Sequence, residues 1–172
     1  NPKPQSPKPM DYKSSGVDID AGNETVRRIK RLAQSTFTPG VLSEIGSFGG
    51  LFTLDTAAWR EPVLVSSADG VGTKLKVAFM ANEHRSIGVD LVNHCVNDIL
   101  VQGAVPLFFL DYVGTSKVEQ WMFRQLLDGM CKACRENGCV LIGGETAELP
   151  GLYPEGEYDL VGTLVGAVHK KN

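Results

Sequence analysis

Residues 106–113 read Pro-Leu-Phe-Phe-Leu-Asp-Tyr-Val, an almost unbroken apolar run that predicts a buried β-strand. The residues before it, 86–102, carry apolar side chains at helical spacing and end at Gly103. The residues after it contain Ser116-x-x-Glu119, a capping-box pattern typical of a helix start. The stretch therefore predicts a strand between two helices, the beginning of a layered domain.

Further elements extend this unit in both directions. The helix after Glu119 closes at Asn137-Gly138, and its predicted inward residues are Trp121, Met122, Leu126, Met130 and Cys134. The other predicted elements are a helix that starts at Asp20 or Asn23 and stops at Pro39-Gly40, strands at 51–54 and 62–66, a short helix near 77–81, and strands at 140–142 and 159–168. The order predicts an α+β or α/β layered fold in which helices cover a sheet.

The composition fits one globular domain. The chain has 172 residues, of which 42% are hydrophobic and 22% charged, and this excludes wholesale disorder. Its formal net charge is −3, whereas a general nucleic-acid binder has a basic footprint. No apolar run approaches the roughly 18 residues that a membrane-spanning helix needs. We therefore expect neither a nucleic-acid partner nor a membrane partner.

The N-terminal tail and the cysteines add two expectations. Residues 1–9 contain four prolines and no apolar side chain, which predicts a disordered tail before a folded domain at 10–172. The cysteines are Cys95, Cys131, Cys134 and Cys139, and we expect the reduced thiols of a cytoplasmic protein. Cys131-x-x-Cys134 has no second CxxC pair and lies in a predicted helix, so core positions fit it better than a zinc or redox site.

A glycine-containing loop follows the predicted strand 62–66. Asp69-Gly70-Val71-Gly72-Thr73-Lys74 combines two glycines, which allow close approach to an anion, with a hydroxyl and an ammonium group. The spacing is not that of a Walker A loop, and Leu75 occupies the place of the third glycine of GxGxxG. The residues alone leave two alternatives, a phosphate-binding loop and a plain turn with a solvated lysine.

One side of the predicted helix 86–102 carries short polar residues. At 100° per residue, the opposite arc is apolar and contains Leu91, Val92, Cys95, Val96, Ile99 and Leu100. The polar arc contains Asp90, Asn93, His94, Asn97 and Asp98. Short carboxylates suit a hard cation such as Mg²⁺, but any solvent-facing helix also has a polar arc. A site and a plain surface are therefore equal alternatives here.

A third polar segment, Gly143-Gly-Glu145-Thr-Ala-Glu148-Leu-Pro-Gly151, follows the predicted strand 140–142. Its glycines allow a ligand close to the backbone and its glutamates offer carboxylates; the alternative is an exposed loop. Three such segments at the ends of apolar elements predict one shared ligand site. No Ser–His–Asp or Cys–His spacing supports nucleophilic catalysis.

Six motifs occur in one order along the chain. They are Tyr12-Lys-x-x-Gly-Val-Asp-Ile-Asp-Ala-Gly-Asn23, Arg60-Glu-Pro-Val-Leu-Val65, Asp69-Gly-Val-Gly-Thr-Lys74, Cys95-Val-Asn-Asp98, Gln102-Gly-Ala-x-Pro-Leu-Phe-Phe-Leu-Asp-Tyr112 and Gly143-Gly-Glu-Thr-Ala-Glu148. Together they resemble the N-terminal half of the aminoimidazole ribonucleotide synthetase (phosphoribosylformylglycinamidine cyclo-ligase) family, over residues 10–170. Related families share single elements of the set, and the combination is what makes the resemblance specific.

The resemblance implies a purine-biosynthesis enzyme that converts formylglycinamidine ribonucleotide and ATP into aminoimidazole ribonucleotide, ADP and phosphate, with Mg²⁺. It implies phosphoryl transfer to the substrate's amide oxygen, followed by ring closure that expels phosphate. It also implies a homodimer. In that dimer, mixed and largely antiparallel four-stranded sheets, each covered by helices on one face, pair into a central barrel.

The resemblance also implies roles by position. Asp69, Asp98 and Glu145 are implied metal ligands, and Asp69, Lys74 and Asp98 are implied catalytic residues. The implied nucleotide-binding residues are Lys30, Gly70, Gly72, Thr73, Lys74 and Glu145. For Lys30 a plain surface lysine is the alternative, and Asp111 fits a buried structural carboxylate as well as a site residue.

Members of this family have a second domain, so the resemblance assigns 10–172 to the N-terminal ATP-binding domain without its C-terminal partner. We therefore expect the isolated chain to be inactive. One alternative function is a noncatalytic dimerisation or ATP-binding module. Another is a related enzyme such as formylglycinamidine synthase.

Overall fold

A computed structural model describes residues 19–59 and 61–170, with side chains from residue 27 onward. The predicted tail at 1–9 and the first part of the Tyr12 motif lie outside the described residues. The predicted capping of the first helix by Asp20 or Asn23 falls on side chains that are not described.

The described residues form four helices and four strands. They are α1 (Ile19–Gln34), β1 (Pro62–Asp69), α2 (Lys74–Ala81), α3 (Arg85–Leu100), β2 (Val105–Thr115), α4 (Gln120–Glu136), β3 (Val140–Glu148) and β4 (Tyr158–His169). The strand order is β1-β4-β2-β3, with antiparallel pairing of β4 to β1 and to β2 and parallel pairing of β2 to β3. This confirms the predicted α+β fold with a mixed, largely antiparallel sheet. The sheet that the described residues form does not close on itself within one chain.

The core lies between the sheet and the pair α3 and α4. Its fully buried side chains include Leu91, Leu126, Met130, Phe109, Leu160 and Leu164. The two helices approach closely through glycines, because a Cβ on Gly88 would clash with the Leu126 carbonyl oxygen and one on Gly129 with that of Arg85. Cys131 and Cys134 are buried on α4, as the prediction of core positions requires.

The predicted strand at 51–54 is wrong. Residues in this part of the chain pair locally, with Phe52 bridged to Val41 and the Thr53 N–H donating to the Gly40 carbonyl. The Phe52 ring packs on Phe108 of β2, with centroids 5.3 Å apart. The segment therefore lies across the sheet as a loop instead of joining it as a strand.

The predicted capping box at Ser116 and Glu119 is also wrong. Helix α4 begins at Gln120, and Glu119 is its N-cap without a side-chain capping bond. A residue from another strand stabilises the segment before the helix instead, because Glu148 Oε1 of β3 accepts the Val118 N–H at 2.7 Å. Ser116 Oγ is buried without a hydrogen-bond partner among the described residues.

Three other sequence predictions need correction. Trp121 is 45% exposed and packs edge-on against the His84 ring, and Leu100 on α3 is 60% exposed, so neither is a core residue. The segment from Gly143 to Glu148 is not a loop: β3 continues through it, because it keeps its parallel pairing with β2 as far as Thr115.

In the described ranges, no helix is both long and apolar enough to cross a bilayer.

The sheet face away from the helices keeps exposed apolar side chains. Tyr112 and Val161 are paired across β2 and β4, and they are 36% and 41% exposed. Leu64 of β1 pairs with Ala167, which lies on the same face of β4 as Val161, and is 62% exposed. We call this surface, defined by Leu64, Tyr112 and Val161, the open face.

Candidate functional site

The end of β1, the loop that follows it and the polar arc of α3 form one group of side chains. Ser67 and Asp69 are two residues apart on β1, so both point to the helix-covered side of the sheet. Asp90, His94 and Asp98 are spaced by four residues on α3, so they form one stripe facing this strand. Strand and helix periodicity together create the site.

The contacts in this group are short and polar. Lys74 Nζ donates to Asp90 Oδ2 at 2.7 Å and lies 2.9 Å from His94 Nε2. His94 Nδ1 lies 3.6 Å from Asp69 Oδ2. Ser67 Oγ donates to Asp98 Oδ2 at 2.6 Å. The structure therefore brings the predicted residues Asp69, Lys74 and Asp98 together, and we call this set of side chains the Lys74 cluster.

The loop from Asp69 to Lys74 has the geometry of a tight turn that leads into α2. The Gly70 N–H donates to Asp69 Oδ1 at 2.7 Å, and Gly72 has a positive φ of 62°, a backbone conformation that glycine adopts without strain. Thr73 is the N-cap of α2 and its hydroxyl makes no capping bond. Lys74 is the first helical residue, and its side chain reaches α3 from there.

The carboxylates of the Lys74 cluster suit Mg²⁺ by donor type. Among the described residues no group of three or more His, Cys, Asp and Glu is close enough to hold a metal ion by itself. Mg²⁺ in nucleotide sites is commonly held by one or two carboxylates, with phosphate oxygens and waters completing its shell. Asp69 and Asp98 would fit that arrangement.

Glu145 and Lys30 lie elsewhere in the chain. Glu145 pairs with Tyr112 on β3, so it is on the open face, and three strand spacings, about 14 Å, separate β3 from β1. Lys30 on α1 lies beside Gly46, where a built Cβ would be 3.5 Å from its Nζ. The predicted single shared site is therefore divided within one chain into the Lys74 cluster and residues near β3.

A cavity of about 480 Å³ lies at the β3 edge of the sheet. Backbone of Gly46, Gly49 and Gly50 forms one wall, and Gly143 and Gly144 form part of the opposite wall. The approach is close, because a Cβ on Gly50 would lie 2.7 Å from the Ile142 side chain. The cavity is thus shaped by glycines, as the sequence predicts for backbone close to a ligand.

Asp111 faces this cavity from the helix-covered side of β2. It lies level with Asp69, in a row that crosses the sheet through Gly162 to Gly144. Its carboxyl group packs directly on Gly144, where a Cβ would clash with Oδ1. Burial raises the pKa of the Asp111 carboxyl to about 7. A carboxyl group in this position is held by packing and only partly ionised near neutral pH.

The sequence predictions omitted three members of the Lys74 cluster, Ser67, Asp90 and His94, from the site. Signals for two of them were present: Asp90 and His94 belong to the polar arc, eight and four residues before Asp98, respectively. Ser67 shares a strand face with Asp69. The sequence does not show that this face of β1 packs against the polar arc of α3.

A protein-family model described as AIR synthase related protein, N-terminal domain, matches residues 54–168. The chain belongs to this family. The match includes the loop from Asp69, the polar arc of α3 and β3, so it contains the whole Lys74 cluster. The resemblance drawn from the six motifs is confirmed.

Two curated relatives of this AIR synthase related domain have the same name. The chain is 58% identical over 159 residues to "Phosphoribosylformylglycinamidine cyclo-ligase" of Trichlorobacter lovleyi, covering 92% of the chain and 46% of the relative. It is 56% identical over 169 residues to the protein of the same name from Xylella fastidiosa, covering 98% and 48%. The chain thus spans about half the length of the curated relatives it matches.

Solved structures share the fold at low sequence identity. Thiamine-monophosphate kinase from Stenotrophomonas maltophilia superposes with a TM-score of 0.64 at 21% identity, covering 83% of this chain and 41% of the kinase. The hydrogenase maturation protein HypE, in a complex with ATP, gives 0.60 at 18% identity, covering 91% and 42%. These likenesses establish the architecture of the AIR synthase related domain.

Proposed function

We propose that this domain is the nucleotide-binding half of a phosphoribosylformylglycinamidine cyclo-ligase in purine biosynthesis. The proposed whole enzyme converts formylglycinamidine ribonucleotide and ATP into aminoimidazole ribonucleotide, ADP and phosphate. The observation that carries this proposal is 58% identity, over 92% of the chain, to a curated relative of that name. Because the chain spans 46% of that relative, the rest of the substrate site is assigned to the part that it does not cover.

The Lys74 cluster supplies what phosphoryl transfer requires of a protein, which is mainly position and charge. Lys74 presents an ammonium at the end of a glycine-containing loop, with two of its contacts fixed by Asp90 and His94. Asp69 and Asp98 are the residues that would hold Mg²⁺. When bound, the ion would neutralise charge on the phosphate oxygens. The HypE complex with ATP has the same fold, which adds support for ATP as the nucleotide.

The proposed reaction has two chemical steps. The amide oxygen of the substrate attacks the γ-phosphorus, the bond to the β-phosphate oxygen breaks, and ADP leaves. A neighbouring substrate nitrogen then attacks the activated carbon, closes the imidazole ring and expels the amide oxygen as part of inorganic phosphate. In the first step, the Lys74 ammonium would stabilise negative charge on the transferred group.

A chimera tests this function. Residues 10–172 would replace the matching half of the Trichlorobacter lovleyi relative, and phosphate release and product formation would be measured with formylglycinamidine ribonucleotide and ATP. We expect activity from the chimera and none from the isolated chain. A folded chimera that binds Mg·ATP but releases no phosphate in response to this substrate would refute the proposal.

The open face supports a second candidate function, dimerisation. It is compatible both with the enzyme and with a noncatalytic module. Its exposed apolar side chains form a surface of the kind that normally marks an interface. We propose that a second copy covers it. In sedimentation equilibrium, Val161→Asp should convert a dimer into a monomer, whereas Leu152→Asp, at a 69% exposed loop position, should not. A monomeric unsubstituted chain at micromolar concentration would refute this proposal.

The proposed setting is the cytoplasm. The four cysteines of the described residues are free and buried, and this supports a compartment in which thiols stay reduced.

A further inference from the structure

His94 is the one residue of the Lys74 cluster that contacts both ends of the loop between β1 and α2. Its Nε2 lies 2.9 Å from the Lys74 ammonium and its Nδ1 lies 3.6 Å from the Asp69 carboxylate. Asp69 begins this loop and Lys74 ends it. The imidazole ring therefore spans the two charged residues whose separation the loop sets.

The two contacts determine how the ring is protonated. A lysine ammonium can only donate hydrogen bonds, so Nε2 of His94 must accept with its lone pair. The ring proton is then on Nδ1, which faces the carboxylate oxygen of Asp69. The Nδ1–H tautomer accepts from the Lys74 ammonium and turns its own N–H toward the Asp69 carboxylate, whereas an N–H at Nε2 would point at the lysine ammonium.

This arrangement restrains the Lys74 ammonium from two sides. Asp90 holds it through an ion pair, and the His94 ring accepts one of its N–H donors without adding a negative charge. An ammonium has three N–H donors, so these two contacts leave one for a ligand. Lys74 is 46% exposed, which leaves that donor accessible. A long, flexible side chain held in advance loses less entropy when it binds an anion.

We propose that His94 is a positioning residue that directs the Lys74 ammonium toward the phosphate groups of a bound nucleotide and holds it in register with Asp69. This role rests on the proposed nucleotide-binding function. His94 itself touches no phosphate in this arrangement. Its contribution should therefore appear in ligand affinity and be recovered by any side chain that can accept from Lys74 and donate to Asp69.

The test compares three variants of the chain by calorimetry with Mg·ATP. His94→Leu removes both contacts, and we expect it to raise the dissociation constant about tenfold. His94→Gln offers an amide oxygen to Lys74 and an amide N–H to Asp69, so it should restore the affinity to within about threefold. Lys132→Leu is the matched control, because it removes a polar contact from an exposed helix position outside the Lys74 cluster. It should leave the affinity unchanged, and all three variants should have similar melting temperatures.

Nitrogen NMR of the His94 ring adds a readout that does not require a ligand. We expect the Nδ1–H tautomer in the unsubstituted chain, and its loss in Lys74→Ala. An Nε2–H tautomer, or equal Mg·ATP affinity of His94→Leu and the unsubstituted chain, would overturn the positioning role while leaving the proposed function intact. An unsubstituted chain that has the expected tautomer but binds no Mg·ATP would overturn the proposed function and this role with it.

Discussion

Replacing Asp111 with asparagine should make the stability of the domain less dependent on pH. The carboxyl group of Asp111 is on the helix-covered face of β2 against Gly144, and burial raises its pKa to about 7, from an ordinary value of 3.8. The folded chain therefore binds a proton at Asp111 over a pH range in which the unfolded chain has lost it. Asparagine has nearly the same shape and cannot ionise.

The sign and size of the effect follow from linkage. Because the folded pKa is raised, the stabilisation associated with Asp111 is fully present below pH 3.8 and is lost as the pH rises through 7. At 1.36 kcal/mol per pKa unit, the full loss is about 4 kcal/mol. Of this loss of unfolding free energy, about 2.5 kcal/mol occurs between about pH 5 and about pH 8.

Urea unfolding at several pH values measures this difference. The free energy of unfolding of the unsubstituted chain should fall from about pH 5 to about pH 8 by about 2.5 kcal/mol more than that of Asp111→Asn. Titration of all other groups cancels in the comparison, and a lost or gained hydrogen bond of the asparagine adds an offset that does not depend on pH. Parallel pH profiles for the two proteins would show that Asp111 titrates normally and that its burial does not control its charge.

Substitutions at three more positions test the site and the core. Lys74→Ala should raise the Mg·ATP dissociation constant about tenfold or more in calorimetry, and Lys74→Arg should recover only part of it, because a guanidinium fork does not fit the contacts of a compact ammonium. Asp98→Asn should weaken Mg·ATP binding while changing the urea midpoint little; equal affinity would remove Asp98 from the metal site. Gly88→Ala should destabilise the domain by about 3 kcal/mol in the same urea assay, since its Cβ would meet the Leu126 carbonyl oxygen. A neutral result there would mean that α3 and α4 can separate at low cost.

The sequence predicted most elements of the fold because their signals are local. Local signals located the four helices of the described residues, and the runs near 62–66, 106–113 and 159–168 located three strands. The failures have a common physical origin. The apolar stretch around Phe52 is short and packs as a loop on Phe108. The capping box predicted at Ser116 does not form, and the Val118 N–H donates instead to Glu148, a residue 30 positions away in the sequence. Local patterns cannot report such distant competitors.

The Lys74 cluster could be predicted only in part, for a related reason. The loop from Asp69 and the polar arc of α3 were visible as separate segments. Helix and strand periods fix which residues share a stripe, but not which stripe faces which. Ser67 and His94 became members of the cluster through the packing of α3 on β1, which creates the contacts Ser67–Asp98 and Asp69–His94. The same packing turned a plain polar arc into a set of paired side chains.

The position of Glu145 separates the roles that depend on one chain from those that do not. Asp69 and Asp98 lie in one cluster on the helix-covered side of the sheet, so the metal role proposed for them can be tested in this chain alone. Glu145 is three strands away and on the open face, so it cannot reach the same ion within the chain. A metal or nucleotide role for Glu145 therefore needs another surface, either a second copy on the open face or the part of the relatives that this chain does not cover. Substitution of Glu145 should then affect binding only in such an assembly, whereas substitution of Asp98 should affect it in the single chain.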